Sequence, residues 1–183
     1  MEYEIIWSNR GSIAVEIKRG KVYVRAPIFV TKKEIERFLN KRSRWIENHL
    51  SKQRQSAEKL KNTPKLSSKE IEELTKKAKD FIPKRVEYFS GVLGVEYGKI
   101  TIRHQKTRWG SCSSKGNLNF NCLLMLTPPD IIDSVVVHEL CHLKHMNHSK
   151  SFYDEVYSVL PDYKERNRWL KDKGGEIMAR LNY

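Results

Sequence analysis

Thr127 to Phe152 reads TPPDIIDSVVVHELCHLKHMNHSKSF and contains His138-Glu139-Leu140-Cys141-His142, an H-E-x-x-H. Four of the six histidines in the chain fall between 138 and 148. Thr127 can cap a helix, Pro128 suits a first turn, and Asp130 answers exposed N–H groups there. Ile131, Ile132, Val135, Val136, Leu140 and Leu143 then supply apolar faces, so the spacing predicts a helix from about Pro128 to about Lys144. On such a helix His138 and His142 stand one turn apart, with Cβ atoms roughly 5 to 6 Å from each other. Both imidazoles can reach one metal ion at about 2.0 to 2.1 Å. Glu139 points about 100° away from His138 by the helix period, out of the ligand position but within reach of a metal-activated water.

Hydrolytic zinc keeps three protein ligands and one open position, so a third ligand must lie downstream. His148 is the first candidate, because Met146-Asn147 can turn the chain back toward the metal. Asp154 and Glu155 on the following helix are the rival ligands. That helix starts at Ser149, a capping residue, and continues through Phe152, Val156 and Val159. His145 reads as a supporting or surface histidine.

Val135-Val-Val-His-Glu-Leu-Cys-His-Leu, Asn147-His-Ser with Phe152, and Lys106-Thr-Arg-Trp-Gly-Ser-Cys-Ser-Ser114 together resemble the YgjP-like metallopeptidase family. That family is in turn similar to SprT-like and minigluzincin zinc proteins. The histidine spacing equals the metzincin signature, but His145 stands in the place of its glycine, so the metzincin fold is not carried over. The resemblance implies an α+β, zincin-like core. It implies His138, His142 and His148 as ligands of one Zn²⁺ ion, Glu139 as the catalytic acid/base, and a peptide or protein substrate. It also implies that the sheet edge beside the zinc helix captures extended substrate, which points to Asn117–Cys122 and to Asn119 within it.

Composition sets the remaining bounds. The chain has 183 residues, enough for one sizeable core plus an appendage. Cys112, Cys122 and Cys141 are odd in number and form no C-x-x-C, so a reducing, cytoplasmic location is expected, and no apolar run is long enough for a membrane span. The net charge of +13 is uneven: residues 1–66 carry 16 Lys and Arg against 7 acids, residues 67–183 carry 19 against 15. The expected division is a basic segment 1–66 and a catalytic domain 67–183. The basic segment suggests contact with a nucleic acid or nucleotide, or simply a well-solvated surface.

Within residues 1–66, three short alternating runs with Gly11 and Gly20 in the turns predict an antiparallel β-meander. Thr31 and Glu34 form a capping box, opening a helix whose apolar spacing runs through Trp45 to Leu50. Arg42, Arg44 and Trp45 could stack on or neutralise a nucleic acid, although Trp45 continues the apolar face and reads first as core. Ser51–Leu66 reads as a linker or a frayed helix end. Ser67 and Glu70 cap a long helix that ends at Gly94, with Pro83 inside. Two strands follow, Lys99–His104 and Asn117–Leu124. In the loop between them Arg108 can stabilise an oxyanion or a phosphate, and Trp109 can wall a cleft or plug the core. A short helix, Tyr163 to Lys171, is expected to end at Gly174-Gly175.

Three functions fit. The first is a zinc-dependent metallopeptidase with Glu139 as general base. The second is a metal-dependent nucleotide phosphohydrolase, a pyrophosphatase, using Lys106 and Arg108 in place of the absent P-loop. The third is a nucleic-acid-associated zinc protein.

Overall fold

The structure is a computed structural model that describes residues 2–181. The chain divides after Asn62 into two compact units.

In the first unit, β1 (Glu4–Ser8), β2 (Ala14–Lys18) and β3 (Lys21–Pro27) form a sheet of order β1-β3-β2. Val22, Val24 and Ala26 are buried at every second position of β3, the pattern of a strand with its inner face in the core. The expected meander is corrected here, because β1 pairs with β3 in parallel and only β2–β3 is a hairpin. Alternation cannot set strand order. The half-exposed β1 and β2 take the edges, and residues 9–13 carry the chain past β3, about two strand spacings away. Arg19 and Gly20, both at positive φ (51° and 76°), make the tight hairpin turn.

The Thr31 capping box opens α1 (Lys32–Asn40), which buries Ile35 and Leu39 against the sheet. The single helix expected from Thr31 to Leu50 is instead two, with a break at Lys41–Arg42 before α2 (Ser43–Lys61). Of the two expectations for Ser51–Leu66, the helix end is what forms, through Lys61. Its residues are good helix formers, and Gln53 ties it to the sheet by donating to the Ile17 carbonyl and accepting from the Gly20 N–H. Trp45, expected in the core, is 46% exposed, whereas the adjacent Ile46 is fully buried.

The second unit begins four residues before the expected boundary. Leu66 is buried there, and its N–H donates to the Arg180 carbonyl at 2.8 Å. The Ser67 capping box starts α3 (Ser68–Leu93), which continues through Pro83 and stops at Gly94 in the left-handed conformation. A second sheet follows, made of β4 (Ile100–Arg103), β5 (Gly110–Cys112) and β6 (Leu118–Asn121) in the order β4-β6-β5. Strand β5 lies inside the segment expected to be loop. The strand expected to reach Leu124 ends at Asn121, whose side chain accepts from the Leu123 N–H and opens a 3-10 helix at Cys122–Leu126.

Three helices complete the unit: α4 (Pro129–Cys141), α5 (Lys150–Val159) and α6 (Tyr163–Met178). Thr127 does not cap α4; its hydroxyl donates to the Leu124 carbonyl and closes the 3-10 turn instead. Helix α4 is buried along nearly its whole length, which makes it the central helix of the unit. Helix α3 backs it, and Arg85 reaches across to Asp133 with two bonds of 2.7 and 2.9 Å. Helix α6 runs past Gly174 and Gly175, beyond its expected end. Among the described residues no helix is long and apolar enough to cross a membrane.

Glu34 and Glu70 both lie below the ordinary carboxyl value of 4.5, because backbone N–H groups of Thr31 and Ser67 bond their charged forms. A depressed folded pKa adds stability that is present above about pH 4.5 and lost as pH falls below it. Thermal melts across this range should show wild type more stable than Glu70→Gln near neutrality, with the gap closing in acid. A constant gap would mean that the charge of Glu70 adds nothing.

Candidate metal centre

The site is built on the last turn of α4, the turn after it, and the start of α5. His138 and His142 project from one face of α4, and the chain turns at His145–Asn147 to bring His148 back beside them. Nε2 of His138 lies 3.2 Å from Nε2 of His142 and 3.1 Å from Nε2 of His148. Nitrogens bound tetrahedrally at about 2.05 Å stand about 3.3 Å apart, so the donor set fits one small divalent cation. Lone pairs that close repel unless a proton or a cation lies between them. Burial, followed by the neighbouring His142 and His148, pushes His138 down to about 4, which disfavours the proton.

The outer nitrogens are held as ligands require. His142 Nδ1 bonds the His145 carbonyl at 2.9 Å, and His138 Nδ1 bonds Tyr163 Oη at 2.8 Å. For Nε2 to present its lone pair, Nδ1 of each ring carries the proton, and these two oxygens accept it. Burial raises the Tyr163 phenol, which therefore stays un-ionised. Phe152, at the start of α5, packs on all three imidazoles with ring centroids 4.7 to 5.0 Å away. Ser149 sets that register by accepting from the Phe152 N–H.

Asp154 and Glu155 are turned elsewhere. Asp154 bonds Lys150, and Glu155 bonds Lys144 and His145, each at 2.7 Å. His145 thus supports the site twice, through its carbonyl on His142 and its ring on Glu155.

Glu139 lies against β5 and is only 6% exposed. Burial raises its carboxyl to about 7, while the Cys112 backbone N–H and the charge of Arg108 pull the other way. A Cβ added to Gly110 would lie 2.6 Å from Glu139 Oε1, so glycine is what lets the strand approach this carboxyl. Beside it opens a cleft of about 250 Å³ lined by Arg108, Trp109, His138, Glu139, Tyr163 and Asn167 among others.

The structure brings His138, Glu139, His142 and His148 together, with Arg108 and Trp109 on the cleft. Trp109 is wall and plug at once, since its ring packs against Gly174 of α6. Asn119 is not at the cleft. It sits on β6, paired on both sides by β4 and β5, and its amide bonds Arg103 and Ser111. With both sides occupied, Asn117–Cys122 is no edge for capturing peptide; the edge beside α4 is β5.

Three contributors escaped the sequence reading. Tyr163 gave no signal, because its partner is 25 residues away. Gly110 lies in the segment expected to be loop, where nothing marks its close approach to Glu139. Asn121, 2% exposed, donates to the Gln105 and Arg108 carbonyls at 2.6 and 2.9 Å and so anchors the cleft loop. A lone polar residue opening the apolar run Cys122–Leu126 was its available signal.

An H-E-x-x-H helix whose two imidazoles meet a third beside a buried glutamate defines the class as a metal-dependent hydrolase. The chain belongs to the YgjP-like family: the YgjP-like metallopeptidase domain matches residues 11–70 and 57–173. It is accordingly an enzyme of the metallopeptidase class. Two solved structures are similar to part of it. The crystal structure of the metallopeptidase zymogen of Pyrococcus abyssi abylysin is 27% identical, with a TM-score of 0.46 over 50% of this chain and 94% of that one. That of Methanocaldococcus jannaschii jannalysin is 22% identical, with a TM-score of 0.46 over 50% and 95%. No curated protein matches the chain.

Two substitutions test the supporting contacts. Tyr163→Phe should weaken metal affinity about 10- to 100-fold in a chelator competition; unchanged affinity would show that the phenol holds nothing in place. Gly110→Ala should leave metal content unchanged and lower turnover about 100-fold by displacing Glu139. Full activity in that variant would contradict the close approach.

Proposed function

We propose that the chain is a zinc-dependent peptidase in which His138, His142 and His148 hold one zinc ion and Glu139 is the general base. The observation that carries this reading is the meeting of three Nε2 atoms, at 3.1 and 3.2 Å, beside a buried carboxyl on the same helix turn. Three imidazoles with a fourth position left open suit zinc. When bound, zinc acidifies a coordinated water and polarises the scissile carbonyl.

The chain's own residues do the rest. Glu139 takes a proton from the attacking water, the hydroxyl adds to the carbonyl carbon, and the C–N bond breaks as Glu139 returns the proton to the leaving amine. Tyr163 and the His145 carbonyl keep His138 and His142 in the ligating tautomer. An extended substrate lies along β5, which Gly110 lets run directly against Glu139. Trp109 walls the cleft.

A second reading keeps these residues and changes the substrate to a phosphoanhydride. Arg108 suits it, being an exposed cation on the cleft whose charge acts on Glu139 and which can meet a phosphate as well as the oxyanion of a peptide's tetrahedral intermediate.

One experiment addresses both. Zinc-loaded wild type, His148→Ala and Glu139→Gln are offered unfolded protein and, separately, nucleoside triphosphates. His148→Ala should lose its zinc, and Glu139→Gln should keep zinc while losing at least about 100-fold in turnover. Peptide cleavage supports the first reading; release of phosphate or pyrophosphate alone supports the second. Retained turnover in Glu139→Gln would remove Glu139 from its role.

A further inference from the structure

Three grooves of the first unit differ in character. One, about 1140 Å³, is lined by Glu2, Glu4, Glu47 and Glu58 as well as Lys21 and Arg54, so it presents no single sign. A second, about 650 Å³, is lined by Arg19, Lys52 and Arg54 with no acid, but no tryptophan, tyrosine or phenylalanine lines it. The third, about 720 Å³, lies between the start of β2 and the α1–α2 break, and its lining combines Lys41, Arg42 and Arg44, again with no acid, with Phe38 and Trp45. Among the described residues none of these three cations has a carboxylate within ion-pair distance.

Aromatic faces line the same groove. Trp45 is 46% exposed although Ile46 beside it is in the core, so the indole is presented to solvent while its helix is anchored. His49 holds it in place, with ring centroids 4.1 Å apart and its Nδ1 on the Trp45 carbonyl. The Arg42 guanidinium lies 3.9 Å over the Phe38 ring, which fixes that charge at the groove wall. Cations without counter-charges, one of them held over Phe38, next to an exposed indole are what a strand of phosphates with unpaired bases requires. An acidic peptide would use the cations and leave the indole idle.

We propose that this groove binds single-stranded nucleic acid, with Lys41, Arg42 and Arg44 on phosphates and a base stacked on Trp45. The basic surplus of the amino-terminal third then serves this contact, separate from the metal centre and independent of its substrate.

The test is fluorescence anisotropy of labelled oligo(dT) and oligo(rU) with the full-length protein across about 50 to 200 mM salt. Arg42→Ala/Arg44→Ala should weaken binding at least ten-fold and reduce the slope of log affinity against log salt by about 1.4, for two lost phosphate contacts. Trp45→Ala should weaken binding about ten-fold with the slope unchanged, and Trp45→Phe should keep most of the affinity. Lys32→Ala/Lys33→Ala, which removes equal charge from the same unit outside the groove, should change it little. Circular dichroism melts confirm that each variant is folded.

Four results would overturn the proposal. They are no binding by wild type, no effect of Trp45→Ala, an equal loss in the Lys32/Lys33 variant, and displacement of oligo(dT) by a poly-glutamate peptide of equal affinity. The last would reassign the groove to acidic peptides.

Discussion

The structure of the second unit depends on one constraint: α4 is buried on nearly every side, yet it must carry two imidazoles and a carboxyl. A polar group taken out of water needs a partner. Four neighbours of α4 supply one each. Helix α3 supplies Arg85 for Asp133, α6 supplies Tyr163 for His138, the turn after α4 supplies the His145 carbonyl for His142, and β5 supplies the Cys112 N–H for Glu139. The surrounding elements are placed so that the one helix bearing the chemistry has its polar atoms satisfied.

This also accounts for the short strand β5. A carboxyl that buried can meet a backbone N–H only if the strand comes very close, and Gly110 permits it. The approach is held from behind by Trp109, which packs on Gly174 of α6, and by Asn121, which bonds the carbonyls of Gln105 and Arg108. Two glycines and one asparagine thus connect the cleft loop to the core. Preorganisation of this kind keeps a reacting group within the small tolerance that catalysis allows.

What the sequence made legible was local. The capping boxes at Thr31 and Ser67, the Ser149 cap, the stop at Gly94 and the hairpin glycine Gly20 all form where their short-range patterns place them, because each depends on residues a few positions apart. The histidine cluster was legible for the same reason, as it spans only residues 138–148. What was not legible was pairing at a distance. Nothing in β1 says that it lies parallel to β3, and nothing in Asn119 says that both sides of its strand are filled. Trp45 failed differently: helical spacing assigned it to the apolar face, and burial of Ile46 one residue later left it outside. The two exceptions to local rules, a glycine in a strand and a tryptophan on a surface, are where the fold departs from pattern, and both are places where function is proposed.

The central claim is that three imidazoles, and no other protein group, hold the metal. X-ray absorption at the zinc edge on the loaded protein tests it most directly. The account expects three imidazole nitrogens at about 2.0 to 2.1 Å with one further oxygen scatterer and no sulfur. A sulfur shell at about 2.3 Å, or a fourth protein ligand closing the coordination sphere, would contradict it and make the zinc structural.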